Sequence, residues 1–310
     1  MKTALFLSVT LILVGIFSWF WLNDFTSALV SPILKTRKTL SLNLWFPKVL
    51  GSASSATSGV TAYATPEVTA KSALFVDTKT GVVLYEKNSH QRLPIASLVK
   101  VMTIVVAMEH RNLNEKLSVS REAAEMEPDK MLLMVGEELT LKELLYGIFL
   151  VSANDGAEVL AKDSTGNREE FLKLMNDKAK QLDMADSFFA NPTGLDEDSG
   201  NSYSSAFDLA ILTRYAIRNY PEIVDISSTY HMFIPKTSDH QDYDLYSGIN
   251  LLTTYPGVVG FKTGFTPEAG LTLITLARKD GHEIVGVLLG SQDRRDEARE
   301  LLDYSFKKLQ

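Results

Sequence analysis

Hydrophobic and polar positions along this chain follow two rhythms, and the switches between them divide it. In SALFVDTKTGVVLYEKN, residues 72–88, two runs rich in β-branched and aromatic residues flank Thr80-Gly81, which predicts a β-hairpin. From about Ser97 the apolar spacing lengthens to that of a helix, as in PIASLVKVMTIVVAM, residues 94–108. LTLKELLYGIFLVSANDGAEVLA, residues 139–161, keeps helical spacing on both sides of a polar break at Ser152-Ala153-Asn154. More helix is predicted at 168–182 and 205–219. LTLITLARKDGHEIVGVLLG, residues 271–290, returns to the strand rhythm around Asp280-Gly281, and DRRDEARELLDYSFKKL predicts a closing amphipathic helix. The order is strands, many helices, strands, helix, with no internal repeat.

Upstream the rhythm is different again. Residues 3–22, TALFLSVTLILVGIFSWFWL, carry no charge. About 20 residues at a helical rise of about 1.5 Å span a hydrocarbon core of about 30 Å. We therefore expect a membrane anchor at 1–22. The alternative is a cleaved signal peptide, for which Thr26-Ser27-Ala28 is a weak site. Lys35, Arg37 and Lys38 follow the span while only Lys2 precedes it, so charge does not favour an outward-facing body. LSLNLWFPKVL, residues 40–50, reads as an interfacial segment, a short strand or a sticky linker, and GSASSATSGVTAYATPE as a flexible tether. The expected organisation is anchor or signal at 1–22, linker at 23–70 and a folded body at 71–310.

Composition narrows the chemistry. The 310 residues are 45% hydrophobic and 22% charged, an ordinary globular balance. With 31 basic against 38 acidic residues and no basic block, nucleic acid is a poor partner. There are no cysteines, so any nucleophile is an oxygen or a nitrogen.

Three short elements then stand out. At the head of a helix, residues i and i+3 share a face, so Ser97 Oγ and Lys100 Nζ can approach each other. A lysine serves as base if burial and a neighbouring cation lower its pKa, and the N–H groups of the first helical turn favour an oxyanion. Ser152 and Asn154 offer a hydroxyl for proton relay and an amide for a substrate carbonyl. In VGFKTGFT, Lys262 offers a fixed charge, Thr263 a hydroxyl for a carboxylate, and Gly264 room for a substrate backbone. Each element alone also reads blandly, as a capping serine with a solvated lysine, a polar bend, and a turn with a surface lysine.

The ordered set Ser-x-x-Lys, Ser-x-Asn, Lys-Thr-Gly belongs to penicillin-recognising enzymes. The chain resembles the low-molecular-weight penicillin-binding proteins of the D-alanyl-D-alanine carboxypeptidase family over about residues 70–309. LPIASLVKVMT, the 139–161 segment, FFANPTGLD and GVVGFKTGFTPEAG carry the likeness. The resemblance implies an α+β, β-lactamase/transpeptidase-like fold, with an antiparallel sheet packed by N- and C-terminal helices and a mostly helical subdomain. It implies a serine peptidase acting on peptidoglycan stem peptides, inhibited covalently by β-lactams, without a cofactor or metal, at the outer face of the cell membrane, or secreted if the leader is removed. By resemblance Ser97 is the nucleophile, Lys100 its base, Ser152 the relay, Asn154 the substrate-amide ligand and Lys262 the charge that keeps Lys100 neutral. Thr263 holds the terminal carboxylate, and the backbone N–H groups of Ser97 and Phe265 form the oxyanion hole. Many relatives have histidine where this chain has Phe265. Relatives also place an arginine near Arg294 and Arg295, without choosing between them. The chain stops after its closing helix, before the extra β-rich domain and amphipathic tail of many relatives.

Other readings stay open at this point. A D,D-endopeptidase uses the same residues in a more open cleft. A class A β-lactamase needs a glutamate-bearing loop where this chain has FFANPTGLDEDSG, and a silent wall-binding module has no need of the reactive side chains. His240 with Asp239, Asp242 and Asp244 suggests a metal site, but no second histidine sits at ligand spacing.

Overall fold

The computed structural model describes residues 45–48, 64–196 and 200–310. The first hairpin pairs β1 (Ser72–Asp77) with β2 (Val83–Lys87). A helical region follows: α1 (Val99–His110), α2 (Leu141–Leu150), α3 (Asn154–Asp163), α4 (Arg168–Gln181) and α5 (Ala206–Asn219). The chain then returns as β3 (Val258–Thr266), β4 (Gly270–Lys279) and β5 (His282–Ser291) and closes with α6 (Arg294–Lys308). The strands form one antiparallel sheet in the order β2-β1-β5-β4-β3, so the last hairpin docks beside the first and β3 is left as an edge. This is the α+β arrangement anticipated above.

Both faces of the sheet are covered, and the two-residue period sorts the side chains between them. Leu74, Val76, Ile274, Leu276, Val285 and Val287 join the core shared with the helical region. Ala73, Phe75, Leu273, Ala277 and Leu288 face the other way and pack with Ala298, Leu301 and Leu302 of α6. Helix α1 is buried from Val99 through Ala107, as a helix apolar all round must be. The start of α2 is set by a capping box: Thr140 Oγ1 accepts from Glu143 N at 3.2 Å while Glu143 Oε2 accepts from Thr140 N at 2.8 Å. Such caps are worth about 1 kcal/mol.

Residues upstream of 71 also pack against the folded body. Val68 and Ala70 are buried, and Thr69 Oγ1 donates to Glu297 of α6 at 2.6 Å. Lys48 bridges Val82 beside β2, accepting from Val83 N at 3.1 Å, and the guanidinium of Arg214 lies 4.7 Å from the Trp45 ring centre. Trp45 and Phe46 are half-buried against the main core, so their apolar surface is satisfied on the protein body. Among the described residues no helix is long and apolar enough to cross a membrane, and the span expected at 1–22 lies outside them.

Candidate active site

The site is assembled where the sheet edge meets the helical region. Residues Ala96–Leu98 form a single 3-10 turn and α1 begins at Val99, so Ser97 sits in the tight turn that leads into the helix carrying Lys100. Ala96 takes a positive φ of 49°, which turns the chain sharply into the helix. Thr272 Oγ1 on β4 donates to Ile95 O at 3.2 Å and ties this turn to the sheet.

Lys100 is fully buried, with three oxygens around its Nζ. Ser97 Oγ lies at 2.9 Å, Asn154 Oδ1 at 2.7 Å and Thr193 O at 2.6 Å. The amide and carbonyl oxygens only accept. A neutral amine gives each of them one N–H and keeps its lone pair for the Ser97 hydroxyl, which is the arrangement of a base about to take a proton. Burial holds the Lys100 pKa well below its ordinary value of 10.5, and the neighbouring Lys262 charge pushes in the same direction, against Asp129 and Asp155. As pH falls Lys100 takes up a proton, so reactivity at Ser97 has an acid limb.

Lys262 lies on β3, also buried, and its Nζ donates to Ser152 Oγ at 3.0 Å and to Thr263 O at 2.8 Å. Burial, then the charge of Arg294, brings its pKa down to about 7. Ser152 has φ 61°, the left-handed region that a serine enters at a cost of about 1–2 kcal/mol. The sharp bend between α2 and α3 aims its hydroxyl at Lys262 and delivers Asn154 to Lys100. The side-chain N–H of Asn154 donates to Pro128 O, and its backbone N–H donates to Asp129 O at 2.8 Å.

Two glycines make the approach possible. A Cβ on Gly194, whose φ is 80°, would fall 2.0 Å from Ala96 O, so only glycine lets the 191–195 turn lie against the nucleophile turn. A Cβ on Gly264 would fall 2.6 Å from Thr272 Oγ1 and 2.9 Å from Ser97 N, so strand and turn touch there without side chains between them.

Beyond Lys262, Thr263 is half-buried and Phe265 is 62% exposed at the open edge of β3. Thr263 lines a small cavity with Gly248, Asn250, Arg294 and Arg295. The two arginines behave differently. Arg294 Nη1 donates to Gly264 O at 2.6 Å and Thr272 O at 3.2 Å, which brings its charge behind β3. Arg295 Nε binds Asp296 at 2.9 Å at the exposed start of α6. The metal reading fails in the described residues: Asp239 pairs with Lys116, Asp244 with His231, and His240 faces Glu143 at 3.6 Å.

The structure therefore brings Ser97, Lys100, Ser152, Asn154, Lys262, Thr263 and Gly264 together from three separate segments. What the motif reading missed is backbone. The carbonyl of Thr193 has no residue-type signature, although Asn191 shapes its turn by accepting from Thr193 N at 3.2 Å and Gly194 N at 2.6 Å. Asn-Pro-Thr-Gly is a turn signal that could have drawn attention to it. The carbonyls of Pro128 and Asp129 left no comparable trace.

Comparisons with known proteins point to one family. Residues 59–293 match the family described as D-alanyl-D-alanine carboxypeptidase. The D-alanyl-D-alanine carboxypeptidase DacF of Bacillus subtilis (strain 168) is 38% identical over 245 residues, which are 76% of this chain and 62% of that protein, so the match spans less than two thirds of the relative. A D-alanyl-D-alanine endopeptidase of Pseudomonas aeruginosa is 34% identical over 213 residues, 67% of each chain. The crystal structure of the D-alanyl-D-alanine carboxypeptidase DacD from Francisella tularensis superposes with a TM-score of 0.73 at 27% identity, covering 82% of this chain and 75% of that one.

The close contact at Gly264 gives a direct test. Gly264→Ala should slow covalent labelling of Ser97 by a fluorescent penicillin about 100-fold, because the added methyl must push the Ser97 turn away. Labelling at the wild-type rate would show that strand and turn are not in contact in solution.

Proposed function

The chain belongs to the D-alanyl-D-alanine carboxypeptidase family, and from that premise we propose that it removes the terminal D-alanine of peptidoglycan stem peptides through an acyl-enzyme on Ser97. The observation that carries this is the buried Lys100 amine, with two acceptor oxygens and the Ser97 hydroxyl as its partners. Ser97 Oγ attacks the carbonyl of the penultimate residue while its proton passes to Lys100. Charge on the carbonyl oxygen is held by the N–H groups of Ser97 and Phe265. As the C–N bond breaks, the Ser152 hydroxyl, backed by Lys262, relays a proton to the departing amine of D-alanine. Water then cleaves the ester and restores Ser97. A β-lactam enters the same first step and remains as the acyl group.

The carboxylate of the terminal residue fits Thr263, with Lys262 and Arg294 as the nearby positive charges. Of the two arginines, Arg294 suits this role because its guanidinium reaches Gly264, whereas Arg295 is held by Asp296. The likeness to the Pseudomonas endopeptidase supports a second reading, cleavage of crosslinks, by the same residues. Placement at the outer face of the cell membrane through residues 1–22 is part of the proposal, because peptidoglycan lies outside the membrane and the uncharged run is long enough to span.

Ser97→Ala should abolish both penicillin labelling and D-alanine release while keeping the wild-type circular dichroism spectrum; full labelling of that variant would overturn the nucleophile. Thr263→Val should reduce kcat/KM for peptides ending in a free carboxylate about tenfold more than for their amides. An equal loss on both would remove the carboxylate role. Fractionation of the full chain checks attachment: a protein starting at Met1 or Lys2 that stays with membranes through a salt wash and is cut by external protease is expected. A soluble form starting near residue 29 would make residues 1–22 a signal peptide.

A further inference from the structure

Asp155 is a fully buried carboxylate next to this site that the proposed mechanism does not use. It follows Asn154 in the first turn of α3. Its Oδ1 accepts from Met131 N at 3.0 Å and from Gly156 N at 2.8 Å, and its Oδ2 accepts from Leu133 N at 3.1 Å. Among the described residues none of these partners is a cation. Burying a carboxylate on backbone N–H groups alone is costly, since desolvation works against the charged form and here pushes the pKa up. A staple between α3 and a surface loop needs no such charge for stability alone.

The stapled segment shows what the charge does. Met131 and Leu133 follow Pro128 and Asp129, whose two carbonyls hold the side-chain and backbone N–H groups of Asn154. An amide whose NH2 is committed to Pro128 has one orientation left, with Oδ1 toward Lys100. Resting on the function proposed above, we infer that Asp155 is a positioning residue for catalysis: it anchors the 128–133 segment so that Pro128 and Asp129 fix Asn154 with its oxygen on Lys100. The neighbouring carboxylate Glu137 anchors the far side of the same loop, accepting from Met134 N and Gln241 N, each at 2.8 Å, and from the Tyr243 hydroxyl. On the 128–133 side Asp155 holds the N–H groups of Met131 and Leu133, and Gln241 Nε2 donates to Leu132 O at 3.0 Å. The linkage also has an electrostatic side, because the Asp155 charge favours the Lys100 ammonium, as Asp129 does, against Lys262.

The test compares Asp155→Asn and Asp155→Ser with the wild type and with Asp208→Asn. Asp208 is a second buried carboxylate, which accepts from Asp186 N at 2.8 Å and Ser187 Oγ at 2.8 Å at the start of α5, away from Lys100. Acylation by a fluorescent penicillin is followed across pH, with the amplitude counting folded molecules and the rate reporting chemistry. The Asp155 variants should acylate about 10- to 100-fold more slowly at the plateau, as expected when a reacting group is displaced. Their acid limb should move to lower pH. Lys100 then has lost both the Asp155 charge and the Asn154 oxygen, which favour its protonated form, while Lys262 still opposes it and Asp129 remains. Asp208→Asn should lower the melting temperature and leave both the rate and the limb unchanged. Asp155 variants that melt earlier but keep the wild-type plateau and limb would reduce Asp155 to a structural staple and overturn the inference. So would failure of both Asp155 variants to fold while Asp208→Asn folds. Wild-type labelling without D-alanine release would instead count against the proposed reaction and leave the positioning result readable.

Discussion

A lysine amine in a dry pocket is the constraint from which the rest of this site follows. An ammonium at the position of Lys100 would be stripped of water and pressed by the charge of Lys262, so the amine is pushed toward its neutral form. A neutral buried amine must still spend its two N–H groups on acceptors and aim its lone pair at a donor. Asn154 Oδ1, Thr193 O and Ser97 Oγ meet that demand, and they come from three segments far apart in the chain. The need to converge these oxygens within hydrogen-bond distance explains why the starts of two helices, an edge strand and the turns beside them share the chemistry.

Convergence is bought with local strain and close backbone contact, and the two packed cores supply the stability that holds it. Ala96 and Ser152 both take positive φ, of 49° and 61°, in residues that do not favour it. Gly194 and Gly264 let main chains touch where any side chain would collide. Behind these points, α1 is buried along most of its length and the sheet is covered on both faces, so the strained turns rest on rigid supports. Burying a leucine or valine on either face contributes about 1.5–3 kcal/mol, enough that a few such residues offset each strained position.

Charge is arranged with equal economy. Lys262 faces Lys100 from the edge strand, with Arg294 behind it, so positive charge is concentrated on the edge-strand side of the site. Asp129 and Asp155 oppose it from the helical side. Burial pushes Lys100 toward its neutral form, and the charges on the two sides of the cleft add to or oppose that push.

Much of this was legible in the chain itself. The rhythm of apolar positions located both hairpins, the helices at 99–110 and 206–219 and the closing helix, because strand and helix periods follow directly from which face is buried. The i, i+3 spacing of Ser97 and Lys100 and the polar break at Ser152 were readable because side-chain chemistry is written in residue types. Other features depended on the fold: the carbonyls of Thr193, Pro128 and Asp129, the different partners of Arg294 and Arg295, and the docking of Trp45–Lys48 against the body. A backbone oxygen has the same chemistry at every position, and adjacent arginines differ only in what each can reach. An apolar pair such as Trp45-Phe46 does not state which surface it will cover. These questions are decided by where distant segments meet, and only tertiary packing fixes that.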